Sequence, residues 1–224
     1  MHAHPPKTPT SIRVWDLPTR LFHWGLAVSI VGAVVTANLG SDAMPWHFRF
    51  GYAVLTLLLF RVVWGWAGPH YARFASFPPR PGAALRALRD PHSVAGLGHS
   101  PAAALSVYAL LIVSAIQVTT GLFSNDAIIW EGPLRNWVSS ETSDRITGWH
   151  LTNRFILIAL IALHLIAIIW YRWRHGKNLT KAMISGDAEA PSESAPESRD
   201  DLTLRIRAAL ILAACAALVG WLVR

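Results

Sequence analysis

Five apolar runs divide the chain, separated by polar, Pro-rich or charged stretches. The first extends from about Pro18 to Leu39, with nothing charged between Leu21 and Ser41. A short turn, Gly40 to Pro45, leads to a second run from about Trp46 to Trp66, whose one deep charge is Arg61. The third, Pro101 to about Phe123, has no charge, and the fourth, Ile146 to Tyr171, is interrupted only by Arg154. A helix rises about 1.5 Å per residue, so runs of this length cross a hydrocarbon layer about 30 Å thick. Backbone groups in lipid must be bonded within their own segment, which makes each run a helix. The expected fold is therefore all-α, a transmembrane four-helix bundle. The fifth run, Ala208 to Val223, covers only about 24 Å. It is expected as an additional C-terminal hydrophobic helix beside the bundle, with Arg205, Arg207 and Arg224 snorkelling from its ends.

Between the runs, charge sets the topology. Arg73, Arg80, Arg86 and Arg89 lie between the second and third runs, with Asp90 the one acid. Arg172, Arg174, Lys177 and Lys181 follow the fourth, whereas Asn125 to Asp144 holds four acids and one arginine. The positive-inside bias places the basic stretches and the amino terminus in the cytoplasm. The expected organisation is an N-terminal cytoplasmic segment 1–17, the bundle 18–176, an acidic flexible linker 177–203 and a fifth helix 204–224. Residues Met1 to Thr10 and the Ala/Pro/Ser/Glu stretch Ser185 to Asp201 have no apolar face to bury. No small-residue cleavage site follows the first run, so a cleaved leader is not expected.

Composition narrows the chemistry. The chain has 224 residues, 53% of them hydrophobic, and a net charge of +7. Its basic residues flank the apolar runs rather than forming a stripe, so nucleic acid is not expected as a partner. A single cysteine, Cys215, excludes disulfides within the chain, a Cys-ligated cluster and a covalent haem attachment. Histidine is the informative residue. His150 and His164 are fourteen residues apart on the fourth run; at about 100° per residue they share a face and stand about 21 Å apart along the axis. His23 opens the first run at the inner level of His164, and His47 opens the second at the outer level of His150. Two layers of two imidazoles suit two non-covalent b-type haems, each bound by a histidine pair. Arg20, Arg61 and Arg154 are placed to meet haem propionates. His99, before the third run, competes for the inner layer, and Met44 for the outer. His2, His4, His70, His92 and His175 are expected in solvent. Trp46, Trp64, Trp66, Trp149, Trp170 and Trp173 stand at run ends and read as an interfacial belt.

The stretch VWDLPTRLFHW (14–24) resembles the opening of the bacterial cytochrome b561 and nickel-hydrogenase b-type cytochrome superfamily. The resemblance continues through FRVVWGWAGPHYARF (60–74), LGHSP (97–101), TGLFSND (120–126), EGPL (131–134) and HLTNRFILIALIALH (150–164). It implies a four-helix cytochrome of a bacterial inner membrane with two b haems, His23 paired with His164 and His47 with His150. The expected function is electron transfer between the quinone pool and an outer-face redox partner, either a c-type cytochrome or a hydrogenase or dehydrogenase subunit. A stand-alone quinone-linked oxidoreductase of a small species such as superoxide competes with it. So does a transporter with histidine proton relays, which would be colourless. No quinone-site constellation stands out.

Overall fold

A computed structural model describes residues 11–89, 97–189 and 196–224. His2, His4 and His92 fall outside these, as does the side chain of His175. The architecture is helical: α1 (Leu17–Thr36), α2 (Met44–Ala67), α3 (Pro81–Arg89), α4 (Pro101–Phe123), α5 (Ser140–His175), α6 (Leu179–Ser185) and α7 (Leu202–Leu222). Five of them, α1, α2, α4, α5 and α7, are long and apolar enough to span a membrane, counting the short 3₁₀ turn that leads into α2. The chain folds as an all-α membrane bundle. A small two-stranded antiparallel sheet, β1 (Ser11–Arg13) with β2 (Asp187–Glu189), closes one end.

Helix starts are written in the sequence. Asp16 caps α1 by accepting from the Thr19 N–H at 2.9 Å, and Pro18 occupies the first turn, where a missing N–H costs nothing. Ser100 and Ser139 cap α4 and α5 in the same way, each preceding its apolar run. α1 packs along α2 and α4 along α5, while α2 also meets α4 and α7. α5 has no comparable backbone packing against α1 or α2. That separation leaves a slot between α5 and the α1–α2 pair.

Three expectations need correction. Trp64 is not part of the interfacial belt: it is fully buried, stacks on Phe60 and donates to Asp16 Oδ1 at 3.1 Å. An indole N–H with a carboxylate partner can leave the interface. The expected linker is structured where it is described, as α6, β2 and an ordered approach to α7. Its backbone pairs with β1, while Ala182, Met183 and Ala188 pack on Val14, Trp15 and Tyr71. Strand pairing through the backbone needs no apolar composition, which is why the acidic stretch gave no sign of it. Finally, α7 starts at Leu202, six residues before the apolar run at Ala208 and two before the expected 204, so its 21 residues reach about 31 Å without local thinning. Its Leu204, Ala208 and Cys215 share a buried cluster with Phe22, Phe60 and Trp64. It belongs to the bundle's packing.

Candidate functional site

The slot between α5 and the α1–α2 pair holds the four histidines. His23 of α1 faces His164 of α5 with ring centres 6.5 Å apart, and His47 of α2 faces His150 of α5 at 6.3 Å. The fold thus brings together both pairs expected from helix depth. Among the described residues, no group of three or more His, Cys, Asp or Glu is arranged around a common point. Each layer therefore brings two imidazoles together without a third such side chain.

The outer layer is held by neighbouring backbone. His47 Nδ1–H donates to Ala33 O and His150 Nδ1–H to Gln117 O, both at 2.9 Å. Carbonyl oxygens only accept, so each bond fixes the proton on Nδ1 and leaves Nε2 with the ring's free lone pair. Gln117 Nε2 donates to the His150 carbonyl at 3.1 Å, and Gln117 Oε1 accepts from Asn153 at 2.7 Å. The same amide nitrogen stands 3.1 Å from His150 Nε2. Gly121 touches this ring so closely that a Cβ there would lie 3.0 Å from His150 Cε1. Gln117 and Thr120 were legible only as polar positions on an apolar run; their role toward His150 had no signal in the sequence.

Each of the three arginines carries an unused donor. Among the described residues, six buried side-chain polar atoms lack a partner, and four belong to this set: His23 Nδ1, Arg20 Nε, Arg61 Nη1 and Arg154 Nε. Arg20 donates to Ile184 O from its other arm, which ties α6 over the inner end. Arg61 is 3% exposed and sits between aromatic rings, 4.5 Å from the centre of Phe74 and 6.0 Å from that of Phe22. Arg154 lies over Phe155. Of the two competitors, His99 is placed elsewhere. His99 packs between Phe77 and Trp15, at 4.2 and 4.7 Å, while Met44 begins α2 one turn before His47. His70 is exposed as expected.

Residues 14–186 match the family described as prokaryotic cytochrome b561. The chain belongs to that family. Relatives of the cytochrome b561 chain include a probable Ni/Fe-hydrogenase B-type cytochrome subunit of Bradyrhizobium diazoefficiens, 24% identical, with 80% of this chain and 86% of the relative covered. A protein of the same description from Azotobacter vinelandii is 24% identical, with 79% and 88% covered. Membership makes this cytochrome b561 chain a membrane b-type cytochrome of electron transfer, and haem b its cofactor.

Proposed function

We propose that the protein carries electrons across a bacterial inner membrane through two haem b groups, one held by His23 and His164 and the other by His47 and His150. The spacing of the histidine pairs carries this reading. Two imidazoles bonded at about 2 Å to opposite sides of one metal ion hold their ring centres roughly 6 Å apart, and the pairs stand at 6.5 and 6.3 Å. Unpartnered donors on Arg20, Arg61 and Arg154 fit the propionates of a buried anionic group, which would otherwise face hydrocarbon. Bound haem supplies a one-electron Fe(III)/Fe(II) couple. The protein's part is to hold the imidazoles, to neutralise the carboxylates and to keep both groups dry.

Electrons pass between the quinone pool and a redox partner beyond the His47–His150 end. The relatives' description as hydrogenase cytochrome subunits favours a hydrogenase there over a c-type cytochrome. Phe48 lies 6.2 Å from His47 and 6.1 Å from Trp130 of the α4–α5 loop, so an aromatic contact joins the outer layer to the loop surface. Asp126 and Glu131 of that loop, with Glu141 and Asp144 at the start of α5, disfavour a stand-alone enzyme that draws in superoxide. Arg73, Arg80, Arg86, Arg172, Arg174, Lys177 and Lys181 lie at the other end, which supports a cytoplasmic amino terminus.

The test is a pyridine-haemochrome assay with reduced-minus-oxidised spectra on wild type, His47→Ala and His164→Ala. The expected result is two b haems per chain, with each substitution removing a different one. A colourless wild-type protein would sink the reading and favour a transporter.

A further inference from the structure

Four cations stand within ten residues where α5 ends and α6 begins: Arg172, Arg174, Lys177 and Lys181. All four are exposed, and among the described residues none of them forms an ion pair. Acids that follow in the chain are taken elsewhere, Asp187 by Arg13 at 2.8 Å, Asp200 by Arg13 and Arg205, and Asp201 by Arg199. Like charges this close repel one another, so an anion that covers the cluster stabilises it. Apolar side chains are exposed among the same residues: Trp173 is 80% exposed, Ile184 62%. Trp173 lies four residues after Ile169 and seven after Ile166, both exposed within the span, so it continues the lipid-facing stripe of α5 to the interface. Cations beside exposed apolar groups match a membrane surface, where headgroups meet the charges and the acyl boundary takes the ring. An acidic protein approaching from water meets the charges alone.

The corner is also tied to the first span. Trp24 Nε1 donates to Met183 O at 3.3 Å, Arg20 donates to Ile184 O, and Gly186 O accepts from the Val14 and Trp15 N–H groups, both at 2.9 Å. Whatever holds α6 at the membrane therefore holds the start of α1, which carries His23.

We propose that the α5–α6 corner is a docking surface for anionic phospholipid of the cytoplasmic leaflet, with the four cations on the phosphate groups and Trp173 and Ile184 at the acyl boundary. This uses the orientation proposed above and is independent of the number of haems. Each basic residue at such a surface strengthens binding roughly fivefold.

Native mass spectrometry of the full-length protein in detergent, with phosphatidylglycerol or with phosphatidylcholine of the same chains, tests this. Wild type should bind phosphatidylglycerol roughly a hundredfold more tightly, and sodium chloride should weaken that binding. Lys177→Gln with Lys181→Gln should lower the affinity roughly 25-fold, while Lys177→Arg with Lys181→Arg keeps it near wild type. Arg80→Gln with Arg86→Gln removes the same charge at α3, at the same end of the bundle, and should leave it nearly unchanged. All of these side chains are exposed, so the fold is not at stake. Phosphatidylglycerol should also raise the melting temperature of the wild type more than that of the Gln pair. Equal binding of the two lipids by wild type, or an equal loss in the α3 variant, would overturn the proposal. So would displacement of the lipid by inorganic phosphate but not by sodium chloride of equal ionic strength, which would mean a free-phosphate site. A wild type that prefers poly-glutamate to phosphatidylglycerol would overturn it in favour of an acidic protein partner.

Discussion

One carboxylate at the edge of the first span does three jobs. Asp16 accepts from the Thr19 backbone N–H, from Thr19 Oγ1 at 2.7 Å and from Trp64 Nε1 at 3.1 Å, and it is fully buried. It starts α1 and fixes that start against the end of α2. Asp16→Ala leaves a buried indole N–H and a helix end without acceptors, at a cost of about 1–3 kcal/mol. Thermal unfolding in detergent should fall accordingly, whereas a melting temperature equal to wild type would show that water replaces the carboxylate. His99 is a second residue whose environment decides its chemistry. Burial, reinforced by the Arg61 charge, pulls it down to about 3. Since the unfolded chain takes up that proton near pH 6.5, this residue costs no stability above about 6.5 and destabilises progressively as pH falls toward 3. His99→Phe should flatten the decline in melting temperature between pH 6.5 and 4. An unchanged slope would assign the acid sensitivity to other groups.

Among the elements, the α4–α5 pair is where shape and chemistry meet. Asn153 Nδ2 bridges Val113 O at 3.0 Å and Gln117 Oε1 at 2.7 Å, so a polar seam crosses an otherwise apolar contact and holds His150 in register. Gly121 gives the ring its room. Gly121→Val should push His150 away and remove one haem, with the His23–His164 haem retained; loss of both, or of neither, would show that the outer site does not depend on this contact. The spans, the end of the bundle at which each histidine lies and the pairing of His23 with His164 and of His47 with His150 were legible in the sequence. Helical period and chain direction fix depth, and depth pairs the rings. What was not legible depends on contacts across long separations. Trp64 and Trp66 stand at the same depth, and only the 48-residue link to Asp16 makes one of them core while the other is 79% exposed. The Nδ1 acceptors are backbone carbonyls, and a carbonyl exists at every position, so no residue type announces the right one. α5 extends back to Ser140 because its first turns are polar and capped, beyond the reach of hydropathy.

At the scale of the whole molecule, Asp200 is the clamp that joins the chain's two distant ends. It accepts from the Leu17 N–H at 3.1 Å, from Arg13 at 3.2 Å and from Arg205 at 3.1 and 3.2 Å, with Arg20 also 3.9 Å away. One side chain therefore ties β1, the start of α1 and the start of α7. It also lies beside Arg20, which opens the inner histidine layer. Burial alone would push the Asp200 carboxyl up, but the bonds from Arg205 and Leu17 and the Arg205 and Arg13 charges outweigh it, and the net shift is downward. A carboxylate held below its ordinary range contributes stability that is present above about pH 4 and is lost as pH falls through the lowered value. Asp200→Asn keeps the shape and removes the charge. At pH 7 its melting temperature should lie below wild type, at about 2–4 °C per kcal/mol lost for a chain of this size. The gap should persist at pH 5 and close only below about pH 4, where the wild type loses the same charge. A gap that is constant down to pH 3 would mean that the amide's geometry, and not the missing charge, is responsible. Haem content should stay at the wild-type value in this variant, because Asp200 itself touches none of the four histidines.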